Sequence, residues 1–173
     1  MKNKKFILEL TPNGKATASI QLKNQIDIID NKDFFKNYKI SNFFKGKYFI
    51  KRLIKKIFKH QLKSNMLWDF DFWEKIIIYK FETKINISYD INNFEQVIVE
   101  NTLKKRTLDI KRYKNIIDRG MDLGCPLFIT SKALNYLGGK LKNDTFIILD
   151  GSRRIISNIL CQNNPNVLII DVE

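Results

Sequence analysis

The residues of this chain whose types and spacing could do chemistry are Asp150-Gly151-Ser152-Arg153-Arg154. They follow an apolar run, Thr145-Phe146-Ile147-Ile148-Leu149, that reads as a buried strand. They precede Ile155, Ile156, Ile159 and Leu160, whose spacing predicts a helix. A glycine at such a junction permits a sharp backbone turn, and the two arginines then fall in the first turn of the helix. Cations there oppose the helix dipole, which favours anions at an N-terminus. The arrangement makes physical sense if an anion sits between the guanidinium groups and the free backbone N–H groups, with phosphate the first candidate. Ser152 could cap the helix or give its hydroxyl to the same anion. A competing arrangement needs no ligand: one arginine snorkels while the other pairs with Asp150 or Asp144.

Several elements must position this turn. Leu108–Arg119 predicts a helix with Ile110, Tyr113, Ile116 and Ile117 inward, broken at Gly120. Cys125-Pro126-Leu127-Phe128-Ile129-Thr130 reads as a short buried strand, with Pro126 tolerable near its start. Ser131 can cap a brief helix through Leu137, ended by Gly138-Gly139. Asn163-Asn164-Pro165-Asn166 turns the chain, and Val167–Ile170 makes a closing strand. In the N-terminal half, Lys5–Leu10 and Ala16–Leu22 form a hairpin around Thr11-Pro12-Asn13-Gly14, because Asn-Gly favours tight turns. Lys75–Phe81, Lys84–Tyr89 and Gln96–Val99 are further β-prone runs. Asp69, Asp71 and Glu74 cluster before them, either as a metal-binding group or as solvated acids in a first helical turn.

The stretches CPLFIT, FIILDGSRRIISNIL and NVLIIDVE together resemble the nucleotide-binding core shared by the ParB N-terminal domain and the sulfiredoxin family. The resemblance covers about residues 108–171: a helix ending in glycine, a strand starting at Pro126, and a strand leading into a Gly-x-x-Arg turn, then a helix and a final strand. It implies an α+β fold with a ParB/sulfiredoxin-like core over residues 101–173; the basic, partly β-rich region over residues 1–100 lies outside the resemblance. ParB proteins carry Gly-Glu-Arg-Arg and bind CTP, and this chain keeps the glycine and both arginines without the glutamate. Sulfiredoxins need a cysteine where this chain has Ser152, which speaks against sulfinic-acid reduction. The free serine kinase branch is similar in its Asp-Gly before a basic pair, matched by Asp150-Gly151. The sequence ends at Glu173 with no helix-turn-helix after the core, so centromere partition is not expected.

From this resemblance the expected function is a small phosphotransferase using ATP or ADP, with CTP as the alternative, and Mg²⁺. Gly151, Ser152, Arg153 and Arg154 would hold the nucleotide phosphates. Asp150 would orient the acceptor hydroxyl, take its proton or hold the metal, and Asp109 is the closest match to the family's second acid, with Asp118 and Asp122 as substitutes. The alternative is a non-catalytic, nucleotide-responsive DNA-binding or adaptor protein. A third reading makes the site degenerate and the protein a structural or inhibitory partner.

Charge location bears on the acceptor. The chain has 173 residues and a formal net charge of +13. Lys outnumbers Arg 25 to 6, as AT-rich coding produces, so the distribution of charge is more informative than its total. Residues 34–68 hold ten basic residues and no acid, and residues 101–119 hold seven basic residues against two acids. Within the first block, Ile50, Leu53, Ile54, Ile57 and Phe58 predict a helix with Lys51, Arg52, Lys55, Lys56 and Lys59 between them. That cationic helix fits a packed helix with a solvated face, a nucleic-acid interface or a membrane-surface segment. Its aromatic setting suggests a polyanionic acceptor, such as DNA carrying a hydroxylated base.

At 44% hydrophobic and 28% charged residues, with 3 Pro and 7 Gly, the composition excludes a fully disordered or fibrous chain. Glu9 interrupts the first apolar run too early for a secretory signal, and no run of 18 apolar residues predicts a membrane span. Cys125 and Cys161 read as buried thiols of a reducing compartment, which with the absent leader points to the cytoplasm, or a host cytoplasm for a viral gene. Oligomerisation is left open.

Overall fold

The structure, a computed structural model, describes residues 1–30, 33–34, 74–136 and 139–173. The cationic segment with Lys51, Arg52, Lys55, Lys56 and Lys59 lies outside the described residues, as do Asp69 and Asp71.

The fold is α+β. In chain order the described elements are β1 (Lys5–Glu9), β2 (Thr17–Ile29), β3 (Ile76–Ile87), α1 (Ile91–Glu100), α2 (Lys104–Asp118), β4 (Leu127–Thr130), α3 (Ser131–Tyr136), β5 (Phe146–Asp150), α4 (Ser152–Leu160) and β6 (Val167–Val172). The strands form one sheet in the order β1-β2-β3-β6-β4-β5. Two compact units divide the chain: Met1–Gln25, Phe81–Pro126 and Asp150–Val167 make the first, and Ile26–Lys80, Leu127–Leu149 and Leu168–Glu173 the second. No helix of the described residues is long and apolar enough to cross a membrane.

In the first unit, β1 and β2 pair antiparallel, with Phe6 opposite Ile20 and Leu8 opposite Ala18. The period of two shows directly: Phe6 and Leu8, then Ala18, Ile20 and Leu22, are buried between exposed or half-buried neighbours. The connection is wider than a two-residue Asn-Gly turn. The N–H of Gly14 donates to the Thr11 carbonyl at 3.1 Å, and the N–H of Ala16 donates to the Thr11 hydroxyl at 3.0 Å. Of the Asn-Gly pair only Gly14 takes a positive φ, 68°.

Gln96–Val99, expected as a strand, instead lies inside helix α1. Its β-branched residues misled, because the deciding features are a cap and a buried face. The Asp90 carboxylate accepts from the N–H groups of Asn92 and Asn93, both at 3.0 Å, and Phe94 and Ile98 are buried four residues apart. The two runs expected at Lys75–Phe81 and Lys84–Tyr89 form a single strand, β3. Its buried residues change phase, Ile76 and Ile78 being followed by Phe81 and Thr83, which breaks the alternation into two apparent strands.

In the second unit, β4 and β6 run parallel, with Leu127, Phe128 and Ile129 opposite Leu168, Ile169 and Ile170. All these residues are buried, as expected for strands covered on both faces. Helix α3 begins at Ser131, but the residue expected to cap it has another task. The N–H of Ala133 donates to the Thr130 hydroxyl at 3.1 Å, while the Ser131 hydroxyl accepts from the Thr145 N–H at 3.2 Å.

Candidate functional site

Strand β5 ends at Asp150, Gly151 turns the chain, and α4 begins at Ser152, as the sequence predicts. Gly151 has φ 92°, the left-handed region that side chains avoid. Space forbids a side chain there as well: an added Cβ would lie 2.9 Å from the Pro126 Cα and 3.0 Å from the Arg154 Nε. Gly151 is the N-cap of α4, so no side chain caps the helix. The first free N–H groups of α4 thus open toward whatever lies before them.

The two arginines serve different ends. Arg154 Nη2 donates to the Asp150 carboxylate at 2.9 Å, and Nη1 donates to the carbonyls of Leu123 and Cys125 at 3.2 and 3.1 Å. Its side chain is 17% exposed, so this guanidinium chiefly braces the 123–126 loop against the turn. The ligand-free alternative raised by the sequence, one arginine paired with Asp150, is therefore the arrangement that Arg154 adopts. Arg153 reaches instead to α2, where it forms an ion pair with Asp109. Its side chain is 43% exposed, the more accessible of the two.

Helix α2 packs on α4 and brings a third arginine. Arg106 Nη2 donates to the Ser152 hydroxyl at 3.1 Å and approaches the Leu10 carbonyl at 3.4 Å, while its buried Nε has no hydrogen-bond partner. Burial first, and then the neighbouring Arg153 cation, lower its pKa from the usual guanidinium value. Sequence reasoning missed Arg106. The available signal was its spacing three residues before Asp109, which puts both on one side of α2. A buried bond anchors this helix pair, the Ser157 hydroxyl donating to the Ile110 carbonyl at 3.1 Å.

The structure thus brings together Asp109, Gly151, Ser152, Arg153, Arg154 and Asp150, with Arg106 added. It does not bring in the substitute acids. Asp118 pairs with Lys114 at 3.0 Å, and Asp122 accepts from the Gly124 N–H at 2.9 Å. The charge at the turn is three guanidinium groups against two carboxylates, so each carboxylate competes with any anion for an arginine. Among the described residues, no group of three or more His, Cys, Asp or Glu could hold a metal ion. Neither cysteine is in a disulfide, and both are only half-buried rather than fully buried as expected. A cleft of about 350 Å³ opens near the other end of α4, lined in part by Ile85, Tyr89, Ile159 and Asn163. None of the predicted site residues among the described ones lines it.

No protein-family model matches the chain, and neither a curated protein nor a solved structure does. The resemblance to ParB and sulfiredoxins therefore rests on the quoted residues alone.

Proposed function

We propose that the α4 N-terminus binds the phosphates of a nucleotide and that the protein is a nucleotide-dependent phosphotransferase acting on a hydroxyl acceptor. The observation that carries this reading is a helix N-terminus without a side-chain cap, begun by a glycine in the left-handed region and flanked by Arg106 and Arg153. Uncapped N–H groups and guanidinium groups at one point suit a phosphate, which offers several acceptor oxygens and negative charge. The ParB/sulfiredoxin-like resemblance supplies the choice of ATP or ADP over other anions, with CTP as the alternative.

In this reading the roles are redistributed among the expected residues. Ser152 and Arg153 hold phosphate together with the amide of Gly151, and Arg154 fixes the loop that walls the site. Asp109, brought beside the turn by α2, accepts the proton of the attacking hydroxyl. Magnesium needs only one or two carboxylates plus phosphate oxygens, so Asp150 suffices as the protein ligand if the ion displaces Arg154 from one oxygen. When bound, the ion would neutralise developing charge on the transferred group, and positioning would do most of the rest.

Calorimetry with ATP, ADP and CTP in the presence of Mg²⁺ tests the reading. Binding that weakens at least tenfold in Arg153→Gln is expected, followed by transfer from labelled ATP to free serine or to hydroxymethylated DNA. A wild-type protein that binds none of the three nucleotides ends it.

One observation favours the non-catalytic alternative, a nucleotide-responsive DNA-binding or adaptor protein. Asp150 is tied to Arg154, which is itself committed to two backbone carbonyls. A site so braced can bind and switch without turning over. Nucleotide binding that alters DNA affinity, with no phosphoryl transfer to any acceptor, would decide for it.

A further inference from the structure

The seven basic residues between 101 and 119 are arranged by α2 in a way the sequence blocks alone do not reveal. The exposed positions of the helix and its C-cap are Lys104, Lys105, Leu108, Lys111, Arg112, Asn115, Asp118 and Arg119. Lys105, Arg112 and Arg119 recur every seven residues, and Lys104 and Lys111 run beside them. Seven residues are nearly two helical turns, so these side chains form one stripe about 21 Å long. The side chains of Lys104, Lys105, Lys111 and Arg112 make no ion pair or hydrogen bond among the described residues. The first turn, Lys104-Lys105-Arg106, carries no acid and Leu103 gives it no side-chain cap. Cations in that position work against the helix dipole, and several of one sign on one face repel each other.

We infer that the outward face of α2 is a docking surface for the phosphodiester backbone of a nucleic acid. A polyanion relieves both the mutual repulsion and the unfavourable dipole term. Per strand of duplex, phosphates recur about every 3.4 Å along the axis, so a 21 Å stripe spans roughly six of them. Backbone contact needs spaced cations and little else. A protein partner would be expected to anchor on aromatic or large apolar side chains, and within the helix Leu108 is the one apolar residue among the exposed positions, with Leu103 exposed at its N-cap. A membrane-surface helix must insert its apolar face. Here Ile110 is buried, Tyr113, Ile116 and Ile117 are half-buried, and α2 packs on α4.

The stripe also flanks the candidate site. Lys105 and Arg112 lie four residues before and three after Asp109, its neighbours on the helix surface. A nucleic acid on this face would run past the carboxylate that Arg153 holds. The inference stands without nucleotide binding, because it concerns the outer face of α2 and not the turn.

Fluorescence anisotropy of the full chain with a labelled random-sequence duplex, between about 50 and 200 mM salt, tests it. The variant Lys104→Gln/Lys105→Gln/Lys111→Gln/Arg112→Gln is compared with Lys2→Gln/Lys5→Gln/Lys15→Gln/Lys142→Gln, which removes the same charge from other exposed positions. The helix variant is expected to bind at least tenfold more weakly. Its slope of log affinity against log salt should be shallower by up to about 0.9 per lost contact. The control variant should keep nearly the wild-type slope. Equal weakening of both variants would reduce the effect to net charge and overturn the proposal. So would wild-type affinity in the helix variant, no duplex binding by the wild type, or tighter binding to phosphatidylserine vesicles than to duplex.

Discussion

The Arg153 guanidinium in the first turn of α4 forms an ion pair with the Asp109 carboxylate of α2, joining residues 44 positions apart in the chain. This pair is a structural link and, in the proposed reading, also a gate. While Asp109 holds Arg153, an anion arriving at the α4 N-terminus must compete with a carboxylate for that cation. The two helices supply the contact because a buried serine hydroxyl and the apolar face of α4 fix their packing independently of it.

Substituting Asp109→Asn separates these roles. The side chains are 43% and 30% exposed, so solvent screens the pair and its removal should change stability by about 0–1 kcal/mol. Removing the competing charge should raise nucleotide affinity severalfold while abolishing phosphoryl transfer, if Asp109 receives the acceptor proton. Calorimetry and a labelled-phosphate assay on the same preparation read both effects. Weaker nucleotide binding in Asp109→Asn would mean that the carboxylate contacts the ligand directly.

Gly151→Ala tests the turn itself. The new methyl group meets the Pro126 backbone at 2.9 Å, and φ 92° is strained for any side chain. Backbone cannot step aside as a flexible side chain can. The expected loss is about 1–3 kcal/mol, measured by urea denaturation. Stability equal to wild type would show that the turn relaxes to another conformation.

Arg154 should behave as a brace. Arg154→Ala leaves the part-buried Asp150 carboxylate and two carbonyls without their guanidinium donor, a loss of about 2–4 kcal/mol. Lysine retains the charge but cannot span three acceptors with a planar fork, so Arg154→Lys should recover only part of it. Arg153→Ala, at a more exposed site, should cost less than about 1 kcal/mol. If the ranking were reversed in thermal melts, Arg153 would be the structural arginine.

The turn was legible in the sequence because its parts are local: an apolar run, Asp-Gly, and apolar spacing at 155–160. The strand–turn–helix followed from those residues without knowledge of the rest. What each arginine touches was not legible. Arg154 depends on carbonyls about 30 residues upstream, and Arg106 enters from a helix whose N-terminal turn the sequence reading left out. That turn was missed because Lys104-Lys105-Arg106 has neither a cap nor acids, the usual marks of a helix start. Gln96–Val99 failed for the opposite reason, since a β-branched run outweighed the Asp90 cap that governs it.

Cys161 offers a pH-dependent readout of the α2–α4 contact at the end remote from the turn. Its thiol donates to the Asp118 carboxylate at 3.4 Å and lies 3.9 Å from the Lys114 carbonyl. Burial, then the bond to Asp118 and its negative charge, raise the thiol pKa above its ordinary value, while the Lys114 cation pulls the other way. Because the folded-state pKa exceeds the unfolded one, the thiol's contribution to stability is complete below the unfolded pKa. It is lost as pH rises through the folded value. In a Cys125→Ser background, the iodoacetamide reaction rate should therefore reach its midpoint at a pH above that of an ordinary cysteine. Asp118→Asn should lower that midpoint, since it removes the charge that opposes the thiolate and leaves Lys114 unpaired beside it. A midpoint at the ordinary value in the parent, or one unmoved by Asp118→Asn, would mean that Cys161 does not face Asp118 in solution.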